Sequence, residues 1–245
     1  MRLGLIADIH GNLPALDAVL AELEQEPLDE ILCLGDVAVG PRPRETLARV
    51  RELGCPVVMG NWDAYFLSGF PPAEDELQRK LVEMGRWWAG RLAERDLAYM
   101  RSFQHSVERV TGSSRLVAFH GSPRSYEDVI VATTPEDELE RMLGGERAPL
   151  LLGGHTHFAL VRRLHGALLV NPGSVGLPFA EPADVMRISP WAEYGILDAS
   201  DGRLSVDLRR TQFDVDAFLA SIRASGMPHA DWWASLWLVG IEAAA

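Results

Sequence analysis

Along the first sixty residues, short apolar runs alternate with segments in which apolar side chains recur every three or four positions. Arg2 to Ala7 reads as a buried strand. Asn12 then stands where a helix cap belongs, ahead of Leu13, Leu16, Leu20 and Leu23, an apolar stripe at helical spacing. Ile31 to Leu34 reads as a second strand after the turn at Pro27 to Glu30. Arg44 to Leu53 follows as a helix and Val57-Val58-Met59 as a third strand. This β-α-β-α-β order implies a parallel sheet with right-handed crossovers. The site of such a sheet lies beyond the carboxyl ends of its strands.

After Pro71-Pro72 the spacing of Leu77, Leu81, Met84, Trp88 and Leu92 predicts a long helical stretch, roughly Asp75 to Met100. Strands are expected around Leu116 to Phe119 and Leu150 to Leu152. The pattern then turns to hairpins. Phe158 to Arg163 joins Ala167 to Val170 at Leu164-His165-Gly166, and Glu193 to Leu197 joins Leu204 to Arg210 at Asp201-Gly202. A second, more antiparallel sheet would pack on the first, giving an α+β fold with α/β-like character. No repeat or low-complexity linker breaks the chain. We read one domain over 1–245, with a helical cap-like insertion at about 64–104 and a helical tail at about 214–245. Asp231 to Val239 is strongly aromatic but too short to span a bilayer. Docking on its own domain is the default reading of this tail, and a homo-oligomer interface is the runner-up.

Composition narrows the partners. The 245 residues carry 35 acidic against 23 basic side chains, net charge -12. That sign argues against sequence-independent grip on nucleic acid, which comes from neutralising phosphates. A small phosphate-bearing substrate stays open, because bound cations reverse the local field. The run before Asp8 is too short for a signal peptide core. The two cysteines, Cys33 and Cys55, read as buried thiols in a reducing compartment. The expectation is a cytoplasmic protein without membrane contact.

The chemistry collects where strands end. Asp8-Ile9-His10, Gly35-Asp36, Gly60-Asn61, Phe119-His120-Gly121-Ser122 and Gly154-His155-Thr156-His157 each follow an apolar run. Alone, Asp-x-His is a weak signal, and His120 is as well read as a structural histidine. A carboxylate directly after an apolar strand is nonetheless costly unless paired, and five such motifs in order are not coincidence. His155 and His157, in extended geometry, point to one side. Together the motifs offer two aspartates, one asparagine and four histidines, enough for two metal ions. Imidazole and carboxylate ligands without thiolate suit Mn²⁺, Fe or Zn²⁺.

From Asp8 to about Ser174 the chain resembles the calcineurin-like metallophosphoesterases, especially their small bacterial and archaeal stand-alone phosphodiesterases. Asn171-Pro172-Gly173-Ser174-Val175-Gly176 adds to the likeness. The resemblance implies a four-layer α/β/β/α sandwich of two mixed sheets flanked by helices. It implies that Asp8, His10, Asp36 and His157 hold a first metal. Asp36 would bridge to a second, completed by Asn61, His120 and His155, with Asp36, Asn61 and His120 as the catalytic candidates. Two divalent ions, Mn²⁺ before Fe, Zn²⁺ or Ni²⁺, would hold a hydroxide that attacks phosphorus in line.

One position departs from the pattern. Many relatives carry histidine directly after the asparagine, and here it is Trp62. An indole cannot protonate an alkoxide at neutral pH, which favours phosphodiesters or anhydrides over alkyl monoesters. Trp62 would stack on a base or simply pack. Asp63 would orient a histidine ligand or cap a short helix. Arg124 would clamp a phosphate or lie on the surface. Trp62, Asp63 and Arg124 are therefore the substrate-side candidates, with Arg42 and Arg44 behind them. The 171–178 loop offers backbone amides to substrate or is a simple turn. His105, His165 and His229 read as ordinary histidines. The expected activity is hydrolysis of a small nucleotide-like phosphodiester. A dinucleoside polyphosphate pyrophosphatase or a phosphomonoesterase is the alternative, and a non-catalytic binding scaffold ranks below them.

Overall fold

The computed structural model describes residues 1–111, 114–164, 166–180, 186–200 and 203–238. His165, the Asp201-Gly202 turn and Val239 lie outside them. Strand β1 (Arg2–Ile6) pairs in parallel with β2 (Glu30–Cys33), and helix α1 (Leu13–Leu23) connects the two. Asn12 Oδ1 accepts the Ala15 N–H at 3.2 Å and caps α1, as its position in the sequence predicts. The first sheet is completed on the other side of β1 by β8 (Ala192–Ser200) and β9 (Arg203–Thr211), in the order β2-β1-β8-β9. The second sheet runs β3-β4-β5-β7-β6, from β3 (Val107–Thr111), β4 (Ser114–Ala118), β5 (Leu150–Leu152), β6 (Leu160–Leu164) and β7 (Ala167–Asn171). Both sheets are mixed: β4, β5 and β7 are parallel, whereas β3 and β6 pair antiparallel at the edges.

Period-two alternation sorts the core into layers. Leu3, Leu5 and Ala7 face Leu116, Ala118, Leu150, Leu152 and Val170 in the seam between the sheets. The opposite faces turn outward. Val117, Leu151 and Leu169 pack on Leu139 and Leu143 of α6 (Glu136–Leu143). Ile6 and Ile196 pack on Leu16, Val19 and Leu20 of α1. Helices α2 (Pro43–Leu53), α3 (Asn61–Ser68), α4 (Glu76–Ala89), α5 (Glu94–Met100), α7 (Val215–Ala224) and α8 (Ala230–Ser235) complete the chain. Helix, sheet, sheet and helix layers result. Met84 and Trp88 of α4 are buried in the same cluster as α1.

Four expectations are corrected. Val57-Val58-Met59 is not a ladder strand. Its N–H groups divide between Cys33 O (Val58, 2.8 Å) and Gln104 O (Met59, 2.7 Å), giving isolated bridges. The stretch 75–100 is two helices, broken after Gly90 and restarted where Asp96 Oδ2 accepts the Ala93 N–H at 2.9 Å. Leu77, expected in its apolar stripe, is 43% exposed. The second hairpin joins the first sheet through β8 instead of extending the second. The described part of the aromatic tail, by contrast, follows its default reading and docks on its own chain: Trp233 and Trp237 are buried, and Leu238 N–H reaches Ile188 O at 2.9 Å.

Candidate metal centre

The carboxyl ends of β1, β2, β4 and β5 converge, and each delivers its motif there. Backbone conformation marks the place. Among the described residues six non-glycine positions have positive φ, and five of them are Asp8 (52°), His10 (48°), Asp36 (53°), His155 (69°) and His157 (61°). His155 and His157 are thus left-handed, not extended as the sequence alone implied. The left-handed region costs a non-glycine residue roughly 1–2 kcal/mol, though Asp and His are among the more tolerant. Neighbouring strands supply the constraint. Asp8 N–H donates to Gly35 O and His10 N–H to Asp36 O, both at 3.0 Å. The Asp8 carbonyl accepts from Gly176 N–H (3.0 Å) and Ser174 Oγ (2.7 Å).

The side chains meet at the spacing of atoms sharing a cation. Asp8 Oδ1 lies 3.9 Å from His10 Nε2, 3.9 Å from His120 Nε2 and 3.5 Å from His157 Nε2. Asp36 Oδ2 stands between His10 (3.7 Å) and His120 (3.6 Å). Ligands about 2.0–2.2 Å from one ion sit roughly 3–3.6 Å apart; the Asp8–His157 and Asp36–His120 gaps match that spacing, and the 3.7–3.9 Å gaps are a few tenths of an ångström wider. Among the described residues two groups qualify as metal holders, Asp8 with His10 and His157, and Asp8 with Asp36 and His120. Asn61 Oδ1 is 3.2 Å from His120 Nε2. The His155 ring is centred 5.1 Å from that of His120, and its backbone N–H binds Asp8 Oδ2 at 3.0 Å.

Ring orientation is fixed from behind. His120 Nδ1 contacts Leu34 O and His157 Nδ1 contacts Leu177 O, both at 2.7 Å. Each carbonyl accepts a hydrogen bond from Nδ1–H, so Nε2 is the nitrogen that faces the cluster. These two carbonyl partners carry no signal in the sequence. His10 Nε2 and His157 Nε2 approach to 3.0 Å, while His10 Nδ1 is buried without a partner.

No lysine or arginine balances the buried carboxylates, and their protonation shows it. Burial pushes Asp8 up to about 8, helped by Asp36. For Asp36 the burial penalty is outweighed by His120, which holds its carboxyl well below the ordinary range. Burial disfavours the His120 cation, yet Asp36 and Asp8 raise it to about 9. Burial lowers His10 and His155 to about 4 each and His157 further. The cluster keeps protons on Asp8 and His120 where a cation would replace them, and the donor set fits divalent metal.

The substrate-side candidates fall in different places. Asp63 is fully buried beneath the ligand loops. Its Oδ2 accepts the Asp36 (2.8 Å) and Gly60 (3.1 Å) N–H groups and its Oδ1 that of Val37 (3.1 Å). It braces backbone and is not among the described residues lining the cavity beside the ligand candidates. Arg124 turns away, its guanidinium donating to Arg141 O at 3.4 Å. Arg44 pairs with Asp96 at 3.3 Å. The 171–178 loop spends its amides internally: Gly173, Val175, Gly176 and Leu177 donate to Asn171 Oδ1, Ala7 O, Asp8 O and Ser174 Oγ. It supports β1 instead of offering those groups outward. His105 meets Pro123 O at 2.9 Å, and His229 meets Glu83 at 2.7 Å.

Trp62 does reach the centre. Its N–H donates to Asp36 Oδ1 at 2.9 Å, and its ring lines a cavity of about 170 Å³ with His10, Asp36, Asn61, His155 and His157. Gly85 permits this approach, because a Cβ there would stand 2.9 Å from Trp62 Cζ3. Trp88 and Trp233, which the sequence did not single out for the site, line the same cavity.

Comparison with known proteins agrees with this geometry. The crystal structure of a metallophosphoesterase from Sphaerobacter thermophilus superposes with a TM-score of 0.74 at 26% identity, covering 96% of this chain and 98% of that one. That of a hypothetical protein from Pyrococcus horikoshii shares the fold, with a TM-score of 0.78 at 22% identity over 93% of this chain and 94% of its own. An uncharacterised protein of Methanocaldococcus jannaschii is 26% identical over 242 residues, 92% of this chain and 93% of that protein. A symmetrical bis(5'-nucleosyl)-tetraphosphatase of Pectobacterium atrosepticum is 29% identical over 157 residues, 60% of this chain and 53% of that enzyme, so the chain aligns to about half of it. Among the described residues no helix is long and apolar enough to cross a membrane. A family model described as the calcineurin-like phosphoesterase superfamily domain matches residues 1–190, most of the sequence, and the chain belongs to that superfamily.

Proposed function

We propose that this protein is a phosphodiesterase that uses two divalent ions to hydrolyse a small nucleotide-like phosphodiester. The observation that carries the reading is the meeting of the ligand cluster and Trp62 in one cavity. Asp8, His10, Asp36 and His157 would hold one ion, and Asp36, Asn61, His120 and His155 the other. Mn²⁺ is our choice, with Fe, Zn²⁺ and Ni²⁺ as alternatives. Bound there, such ions supply Lewis acidity toward phosphoryl oxygens and activate water.

The chain's own part is positioning. Asp36 Oδ2, placed between His10 and His120, would serve both ions in this assignment, and Asp8 Oδ1, near His10, His120 and His157, stands at the same junction. The Leu34 and Leu177 carbonyls hold His120 and His157 in the tautomer that ligates. Trp62 occupies the position after Asn61 without an ionisable group, so no side chain there protonates a leaving alkoxide. A diester with a tolerable leaving group suits that arrangement better than an alkyl monoester. Cleavage of a dinucleoside polyphosphate is the second reading, favoured by the partial match to a bis(5'-nucleosyl)-tetraphosphatase. We place the reaction in the cytoplasm, supported by the free thiols of Cys33 and Cys55.

The test compares bis(p-nitrophenyl) phosphate with p-nitrophenyl phosphate, using metal-stripped protein refilled with Mn²⁺ and Asp36→Asn as control. Diester turnover that the variant abolishes, with weak monoester turnover, is expected. Dominant monoesterase activity would overturn the inference from Trp62. Absence of bound metal together with no rescue by Mn²⁺ would return the protein to the scaffold class.

A further inference from the structure

The cavity has two unlike ends. At one end stand the metal-ligand candidates. The other is walled by Trp62, Trp88, Trp233, Phe179, Met186 and Leu81, and among the described lining residues there is no lysine or arginine. The rings brace one another edge-on: Trp62 on Trp88 (centroids 6.1 Å) and Trp88 on Trp233 (5.8 Å). Phe179 lies over His157 at 4.4 Å, 27° from parallel, and joins the two ends. The indole nitrogen of Trp88 is buried and makes no hydrogen bond.

The segment that closes the wall is distinctive. Trp233 belongs to α8, beyond residues 1–190 that the family model matches. Its helix is tied back by the Leu238–Ile188 and Ile188–Leu236 backbone hydrogen bonds, both at 2.9 Å.

Resting on the diesterase reading, we propose that this wall is a subsite for an uncharged aromatic ester group of the substrate. The phosphoryl group would sit at the metal end and the ring against the partly exposed Trp62, which the buried Trp88 and Trp233 back. An apolar wall without cations rewards burial of a neutral ring. It penalises further phosphates, whose charge would enter low dielectric unpaired. The substrate class is therefore a phosphodiester with one neutral aryl or nucleobase-like arm, in preference to a polyphosphate chain.

Three measurements on the Mn²⁺-loaded protein test this. Calorimetric Kd values for phenylphosphonate and methylphosphonate read the subsite without turnover. Phenyl and ethyl p-nitrophenyl phosphates, which share a leaving group, read it in kcat/KM. Diadenosine tetraphosphate supplies the polyphosphate arm. We expect a preference of roughly tenfold or more for the phenyl compound in both readouts, reduced in Trp233→Ala. Met186→Lys, on the partly exposed rim, should shift relative kcat/KM toward the tetraphosphate. Equal binding of both phosphonates alongside turnover of both esters would overturn the subsite and leave the diesterase reading intact. Preference for the tetraphosphate in the unaltered protein would overturn it too. A phenyl preference in binding with no turnover of either ester would retire the diesterase reading and keep the subsite.

Discussion

Asp63 holds the ligand loops together through three hydrogen bonds. Its carboxylate is fully buried and accepts the N–H groups of Asp36, Val37 and Gly60 at 2.8, 3.1 and 3.1 Å. Truncation in Asp63→Ala leaves three buried donors unmet, each worth about 1–3 kcal/mol. Allowing for relaxation, the loss should be about 3–5 kcal/mol, or roughly 6–20 °C in Tm for a chain of this length. Asp63→Asn separates geometry from shape. With its oxygen at the Oδ2 position it keeps the Asp36 and Gly60 bonds, but its amide then meets the Val37 N–H donor to donor. That variant should lose about 1–2 kcal/mol. Thermal unfolding in EDTA reads the stability, and Mn²⁺ calorimetry reads the positioning, where a tenfold or greater weakening is expected of Asp63→Ala. Leu139→Ala, buried behind the second sheet, supplies a control of about 2–5 kcal/mol that should leave Mn²⁺ affinity alone. An Asp63→Ala protein that melts within 2 °C of the parent would refute the hydrogen-bond accounting. Comparable losses of Mn²⁺ affinity in both Ala variants would refute the positioning role.

Three further outcomes are expected. Gly60 has φ -86° and ψ 168°, which any residue adopts, but a Cβ would collide with Asp36 Oδ1; Gly60→Ala should weaken Mn²⁺ at least tenfold, and unchanged affinity would contradict the packing. Trp62→His restores an ionisable group beside the cavity, and the ratio of monoester to diester kcat/KM should rise, up to roughly 100-fold; a constant ratio sinks the leaving-group argument. Burial raises the Glu193 carboxyl above its ordinary 4.5 despite Arg210 at 3.0 Å. A raised folded value means its contribution is complete below pH 4.5 and lost as pH rises through the folded value. Urea unfolding should therefore show the stability of the parent relative to Glu193→Gln falling as pH increases from 4.5, and a flat difference would rule this out.

The site was legible because its residues break the pattern around them. Asp8 and Asp36 interrupt apolar runs where a carboxylate has no business, and the histidines follow β4 and β5 in the same way. What escaped the sequence is non-local. Val107-Glu-Arg-Val-Thr forms β3 at a sheet edge with alternately exposed side chains, too polar to stand out from a loop. The partner of β8 is β1, nearly two hundred residues earlier, and no periodicity records that choice. Trp88 and Trp233 sit on helices that read as core, which they also are; only the docking of α8 brings Trp233 onto Trp88 of α4 beside the cavity. The left-handed backbone of His155 and His157 was hidden because His-Thr-His fits an extended strand equally well.

The five left-handed ligand candidates set stability against chemistry. At roughly 1 kcal/mol each, their conformations amount to about 5 kcal/mol, comparable with the whole net stability of some domains. Glycine would relax any of these positions and remove a ligand in the same step. At these five sites a substitution that relaxes the backbone also strips a candidate donor from the cluster, so relief of strain and loss of metal affinity would come together.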